Sequence, residues 1–317
     1  MPRYLVTGCA GFIGSTLTDA LLADGCEIVG VDAFTEYYDR AAKDAALAGA
    51  RDHPSFTLLE HDLASDPIPD DALEGLDGVF HLAARPGVRA SWGAGFEAYV
   101  SDNILATHAV ADAAGAGGLR LVFASSSSIY GNALAYPTSE DTPPSPISPY
   151  GVTKLACEHL LAAHARDSGL DHVALRYFTV YGPRQRPDMA FSRIVAALVT
   201  GGEFEIYGDG SQSRDFTFVA DAVAATIAAM SEAPAGATYN VGGGSEAALR
   251  DVVALVEELG GRSLDVRYGE RAAGDVKRTL ADTARVRSEL GWEPRTDLRA
   301  GLAAQLDAAG ALASSAG

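Results

Sequence analysis

Two hydrophobic rhythms alternate along the chain. Short, nearly continuous apolar runs at 4–7, 27–32, 56–60, 79–84, 119–124 and 173–178 have the length and β-branched content of buried strands. Between them, 12–23, part of 33–50, 97–114 and 150–167 carry the spacing of helices. Strands that alternate with helices predict βαβ units, and hence an α/β fold with a doubly wound parallel sheet covered on both faces. After residue 176 the alternation loosens. Helices over 191–198, 219–230 and 248–259, with strands over 204–207, 238–241 and 264–268, predict a smaller α/β substrate-binding part spanning mainly 177–309. Some of its segments are expected to return to the first sheet. The small residues of 310–317 predict a flexible tail.

The first strand runs into Gly8-Cys9-Ala10-Gly11-Phe12-Ile13-Gly14, and the second ends at Asp32. Glycines at the first βα turn let the backbone approach a pyrophosphate, which then meets the amides of the helix N-terminus. The spacing is GxxGxxG. Strand before, helix after and an acid at the end of the second strand make it a dinucleotide fingerprint. Asp32 is placed to accept hydrogen bonds from the adenosine ribose and to repel a 2′-phosphate, which favours NAD over NADP. Asp62 lies where an adenine amino group is read, although capping a helix is an equal use for it. Leu63, and Leu82-Ala83-Ala84 at the end of the fourth strand, are placed for close approach of the cofactor. His81, inside an apolar run, reads as a satisfied core histidine.

The fourth helical segment opens with Ser148 as a cap and Pro149 at its first position. Tyr150 and Lys154 follow four residues apart and therefore share a face. A free tyrosine has a pKa of about 10. An ammonium one turn away favours the phenolate and makes it a usable base. Alone, such a pair is also what an ordinary exposed helix turn presents. The run Ser125–Ser128 stands at the end of the fifth strand, where ligands of parallel sheets bind; a plain serine turn is the alternative. Arg85 and Arg89 flank Val88 in a loop that either meets an anionic ligand or is simply solvated.

Composition narrows the partners. The 317 residues carry a net charge of −18, which argues against nucleic acid or an anionic membrane. An anionic small substrate then needs a local arginine cluster. Cys9, Cys26 and Cys157 are odd in number and lack metal-type spacing, so we expect no metal and a reduced, cytoplasmic setting. The start of the chain lacks a signal-peptide pattern, and no run is long enough to span a bilayer.

Taken in order, these motifs resemble the extended short-chain dehydrogenase/reductase family, in its nucleotide-sugar epimerase and dehydratase branch. The match covers Gly8/Gly11/Gly14, Asp32, His81–Ala84, Asn103, the serine run, Tyr150/Lys154, Arg176-Tyr177-Phe178, Ser213–Phe216 and Gly274-Asp275-Val276. The resemblance implies a Rossmann domain with tightly held NAD, a C-terminal part that binds a nucleoside diphosphate sugar, and a homodimer pairing the 97–114 helix and the Tyr150 helix. It places Ser126 beside Tyr150 and Lys154 as the third catalytic group. It assigns Asn103 and Tyr177 to the cofactor. To the substrate it assigns Val88, Arg89, Ser126–Ser128, Thr179, Arg186, Arg193, Tyr207, Arg214, Arg271 and Asp275.

Chemistry separates the branches. The 4,6-dehydratases carry an acidic pair where Ser127 and Ser128 stand, and uronate decarboxylases commonly carry Glu at the second position. The chain is most similar to UDP-glucuronate 4-epimerases: Tyr37-Tyr38-Asp39 with Lys43, Arg85–Arg89, Ser125–Ser128, Phe178–Pro183 and Arg186–Ala190 follow their pattern. UDP-galactose 4-epimerases usually have Asn where Thr179 stands. One departure is that Ala272 occupies the place of an arginine before Gly274-Asp275, with Arg271 one residue earlier. The expected activity is NAD-dependent C4 epimerisation of UDP-glucuronate. The alternatives are the neutral UDP-hexose reaction, decarboxylation, and noncatalytic NAD binding on the same fold.

Overall fold

The computed structural model describes residues 1–270 and 274–314. Strands β1 (Arg3–Thr7), β2 (Glu27–Asp32), β3 (Phe56–Glu60), β4 (Gly78–His81), β5 (Arg120–Ser126) and β6 (His172–Tyr177) appear close to the predicted runs. The second half adds β7 (Thr179–Tyr181), β8 (Glu203–Tyr207), β9 (Ser213–Phe218), β10 (Thr238–Val241), β11 (Ser245–Ala248) and β12 (Asp265–Gly269). Seven strands form one sheet in the order β10-β6-β5-β4-β1-β2-β3. Every neighbouring pair in it is parallel. The winding reverses between β1 and β4, so a crevice opens at their carboxyl ends. This is the Rossmann-like, doubly wound arrangement, and β10 is a segment of the second half that joins it.

The alternation of strand side chains divides the core. Adjacent residues Leu5 and Val6 of β1 face opposite layers. Val6, Phe80 and Val122 pack with Leu17, Leu21 and Ala222 on one side. Leu5, Leu121 and Phe123 pack with Val110, Ala111 and Leu161 on the other. Each such side chain, taken fully out of water, contributes about 1.5–3 kcal/mol. A third cluster, with Tyr181, Phe191, Phe204 and Phe216, holds the second half together. It lies on the small sheets β11-β9-β7 and β12-β8. No helix among the described residues is long and apolar enough to cross a membrane.

His81 is fully buried between Thr7 Oγ1 at 2.7 Å and Thr107 Oγ1 at 3.0 Å. Burial pushes its pKa down to about 3, so it is a neutral core residue, as its sequence context predicts.

Several elements differ from the sequence expectation. The single helix expected over 97–114 is Phe96–Tyr99, a π-helical stretch Val100–Leu105, and Ala106–Ala116. The helix expected within 33–50 is split into Arg40–Ala46, capped by Asp39 on the Ala41 amide at 2.8 Å, and Ala48–Arg51. Strands β7 and β11 have only 3 and 4 residues, too short to carry a readable period. The last helix, Leu298–Ser314, runs well into the segment expected to fray. Buried Leu302 and Gln305 anchor it, and Gln305 Oε1 accepts from the Gly182 amide at 3.1 Å.

Candidate active site

A cavity of about 640 Å³ opens at the carboxyl ends of the parallel strands. One end is walled by the glycine turn. Gly11 caps the helix Phe12–Ala23 without any side-chain hydrogen bond, so its first amides have no protein side chain capping them. A Cβ on Gly14 would lie 2.0 Å from the Gly8 carbonyl oxygen, so helix and turn touch backbone to backbone. Asp32 is buried at the end of β2 and accepts from Phe34 N at 2.8 Å, Lys43 Nζ at 3.0 Å and Ala10 N at 3.2 Å. This cradle of open amides, absent side chains and a buried carboxylate fits a dinucleotide.

The cavity continues to Ser126, Tyr150 and Lys154. Ser148 Oγ accepts from the Gly151 amide at 3.1 Å and Pro149 takes the first helical position, so the helix Pro149–Ser168 begins as its sequence predicts. A Cβ on Gly151 would meet the Ser128 carbonyl oxygen at 2.6 Å, which lets this helix lie directly on the serine run. Ser126 Oγ accepts from the Ser128 amide at 3.1 Å and shapes the short turn that follows.

Burial raises the Tyr150 phenol above its ordinary pKa, opposed first by the Ser126 hydroxyl and then by the Arg186 cation. The sequence predicts that Lys154 does this directly. In the structure, Lys154 Nζ instead donates to the Ala124 carbonyl at 2.8 Å and sits 4.8 Å from the centre of the Phe123 ring. Burial lowers its pKa to about 8. Helical spacing puts the two side chains on one face; it does not join their heads.

A buried network stands behind the serines. Ser125 Oγ donates to Glu158 Oε1 at 2.5 Å, and Arg176 grips the same carboxylate at 3.0 and 2.8 Å. Arg176 also donates to Tyr130 Oη at 2.7 Å, which donates to Asn240 Oδ1 at 2.7 Å. Glu158 lies one turn after Lys154, so this chain of bonds locks β5, β6, β10 and the Tyr150 helix in register.

The far end carries the arginines. Arg89 pairs with Asp275 at 2.9 Å and lies 4.1 Å from the centre of the Tyr207 ring. Arg186 binds Asp188 through two bonds of 3.0 Å. Arg193 lies 5.8 Å from the same Tyr207 ring, and Arg214 donates to the Ser213 carbonyl at 2.8 Å.

Of the predicted cofactor residues, Gly8, Gly11, Phe12, Ile13, Gly14, Asp32, Asp62, Leu63, Leu82, Ala83, Ala84, Tyr150, Lys154 and Tyr177 line this cavity. So do the predicted substrate residues Val88, Arg89, Ser126, Ser127, Ser128, Thr179, Arg186, Arg193, Tyr207, Arg214 and Asp275. Asp62 also accepts from Ala64 N at 3.0 Å and Ser65 Oγ at 2.8 Å, so it closes a turn; no helix starts there for it to cap. Arg271 lies outside the described residues.

Asn103 is not on the cavity wall. It is buried behind it, where Oδ1 accepts from Arg85 N at 2.6 Å and Nδ2 donates to Thr153 Oγ1 at 2.9 Å. It ties the β4 loop to the Tyr150 helix. Arg85 itself pairs with Asp102 at 2.7 Å. Lys43, Tyr37 and Asp188 line the cavity and were not assigned to it from the sequence. Lys43 had a usable signal: a lysine in a short helix soon after the acid of β2, where only a buried partner holds it.

A reversing parallel sheet, a glycine turn, a terminal acid and a Ser/Tyr/Lys set in one crevice define a dinucleotide-binding enzyme that moves protons at an alcohol or carbonyl carbon. Residues 4–242 match the NAD dependent epimerase/dehydratase family, and the chain belongs to it. A UDP-glucose 4-epimerase of Mycolicibacterium smegmatis is 38% identical over 95% of this chain and 96% of its own length. UDP-glucuronic acid 4-epimerase from Bacillus cereus, solved with UDP-glucuronic acid and NAD, superimposes with a TM-score of 0.94 at 38% identity, covering 98% of this chain and 99% of that one. MoeE5 in complex with UDP-glucuronic acid and NAD gives 0.88 at 43% identity, covering 98% and 100%. MoeE5 is also solved with UDP-glucose and NAD. The cofactor of this enzyme is NAD.

Proposed function

We propose that the chain catalyses reversible C4 epimerisation of UDP-glucuronate and UDP-galacturonate. Its coarser form, an NAD-dependent UDP-sugar 4-epimerase, follows from the family and from relatives that match over nearly the full length. The observation that carries the uronate reading is that Ser127, Ser128 and Thr179 line the same cavity as Tyr150, with no acid or base at the two serine positions.

Tyr150 takes the proton from O4′ of the sugar and returns it, with Ser126 sharing the hydrogen bond. Bound NAD supplies the hydride acceptor and donor at C4′. Lys154, held on the Ala124 carbonyl, orients that end of the cofactor, while Ser126 and Arg186 favour negative charge on the phenol. Arg89, Arg186, Arg193 and Arg214, with Val88, Tyr207 and Asp275, hold the UDP-sugar while the keto sugar turns over. The 4-keto uronate is a β-keto acid, prone to lose carbon dioxide. Ser127, Ser128 and Thr179 grip its carboxylate, stabilise its charge and keep the C5–C6 bond out of line with the carbonyl π system.

The second reading is the neutral reaction between UDP-glucose and UDP-galactose, which the Mycolicibacterium relative and the UDP-glucose complex of MoeE5 favour. An NMR product assay with each sugar decides between them. Conversion of UDP-glucuronate to UDP-galacturonate is expected; turnover of the neutral sugar alone removes the uronate reading, and a pentose product makes the enzyme a decarboxylase. In this reading the segment 1–176 serves mainly the cofactor and 177–309 mainly the sugar. The enzyme works in the cytoplasm as a homodimer through the Tyr150 helix and the helix before it; a monomeric mass by light scattering contradicts the dimer.

A further inference from the structure

Away from the cavity, the helices Ala106–Ala116 and Pro149–Ser168 pack side by side. His108 and Asp112 are one turn apart on the first, and His164 faces them from the second. His108 Nδ1 and His164 Nε2 are 3.1 Å apart. Asp112 lies on the other side of both rings, 3.5 Å from His108 Nε2 and 3.6 Å from His164 Nδ1. One ligand atom from each of the three residues fits within 4.8 Å.

This arrangement carries one proton too few when both rings are neutral. If each imidazole keeps its proton on the nitrogen facing the carboxylate, the two nitrogens at 3.1 Å present lone pairs to each other. The cluster then calls for one shared cation. A proton is one solution. A divalent transition ion is the other, because two neutral imidazoles and a carboxylate are a zinc-type donor set. At zinc–nitrogen distances of about 2.0–2.1 Å, nitrogens 3.1 Å apart subtend about 98° at the ion, and a few tenths of an ångström of opening gives the tetrahedral angle. In the single chain Asp112 is 60% exposed, so its side chain has room to rotate onto the ion as third ligand, with water as the fourth.

We propose that His108, Asp112 and His164 form a binding site for a zinc-class divalent cation that staples these two helices. It goes beyond the epimerase reading and uses no catalytic, cofactor or sugar residue of it, although it stands on the two helices through which the proposed homodimer pairs. His164 lies roughly 15 Å along its helix from Lys154 at 1.5 Å per residue. The cysteine spacings in the sequence give no hint of the site, because its two histidines are 56 residues apart.

The test uses the full-length protein with NAD, freed of metal by chelator and dialysis. Zinc is titrated calorimetrically and cobalt by its visible absorption, against wild type, H108A/H164A and D112N. We expect a single micromolar site per chain in wild type, a tetrahedral cobalt spectrum, and a zinc-dependent rise in Tm. Affinity should fall at least tenfold in D112N, and site and Tm response should vanish in H108A/H164A. NAD content and epimerase turnover should be unchanged, which separates failure here from failure of the functional reading. If the double variant is poorly folded, H108Q and H164Q, which keep polar side chains of similar length, must each lose the site. Equal zinc binding by wild type and the histidine variants, or no saturable binding by wild type, overturns the proposal.

Discussion

At the glycine turn the cavity is made of backbone against backbone, whereas at its other end it is made of long cations resting on carboxylates. Asp32 and Lys43 at the first end are buried and bonded on several sides. Arg89 and Asp275 at the second leave 45% and 24% of their side chains in water. A dinucleotide therefore enters a shape already fixed. Under the proposed function, a sugar diphosphate enters a charge network in which Arg89 and Arg186 turn from Asp275 and Asp188 to the ligand, so part of each new bond is offset by one lost. The contrast fits the proposed function, in which one pocket keeps its cofactor and still releases product.

The largest expected effect lies where the two ends meet. Tyr150→Phe should lower turnover by about 10²–10⁴-fold, the range for a lost general base, while NAD released on denaturation stays equimolar. Loss of NAD as well would merge the two ends into one unit. At the rigid end, Gly14→Ala drives a Cβ to 2.0 Å from the Gly8 carbonyl oxygen. Urea unfolding should show a loss of about 1–3 kcal/mol, with NAD lost on gel filtration. At the adjustable end, Arg89→Ala should raise KM for the UDP-sugar by about ten- to hundredfold, the worth of a hydrogen bond to a charged group, with NAD content intact. A fall in kcat alone would mean that Arg89 works only on the transition state.

The smallest effect concerns pH. Burial raises the Asp215 carboxyl to about 6, while backbone amides at Ala281, Gly243 and Gly244 oppose the rise. Its folded pKa exceeds its unfolded value, so its stabilising contribution is fully present below about pH 4 and is lost as pH rises through 6. The difference in unfolding free energy between wild type and Asp215→Asn should therefore shift by on the order of 1–2 kcal/mol between pH 4 and 8, in the sense that wild type loses more. A pH-independent difference would show that the carboxyl is not perturbed.

What the sequence discloses and what it hides divide along the same line. The strands of the large sheet, the glycine turn, the Ser148-Pro149 helix start and Asp32 are written in contiguous residues, and each carries its own local signal. The π-helical stretch Val100–Leu105 keeps a helical rhythm in its apolar positions, so periodicity reads straight through it. Asn103 matches a family motif, yet its partners are 18 and 50 residues away, and only the fold shows that it braces the wall from behind. Lys154 teaches the same lesson in reverse. Its spacing from Tyr150 fixes which way the side chain leaves the helix, but the Ala124 carbonyl, 30 residues back, decides where the ammonium rests. The pairing of Arg89 with Asp275, 186 residues on, likewise joins distant loops, which no local pattern encodes.

The place of β10 at the margin of the large sheet has a consequence for how the chain is made. Until residue 241 has left the ribosome, β6 ends the sheet with its hydrogen-bonding edge bare, an invitation to pair with another nascent chain. Asn240, which closes the bond series from Ser125, is missing over the same interval. A gene cut after residue 176 should thus yield not a free-standing cofactor module but an aggregating fragment, and chimaeras with relatives should be spliced after β10 rather than at the point where the sequence rhythm changes.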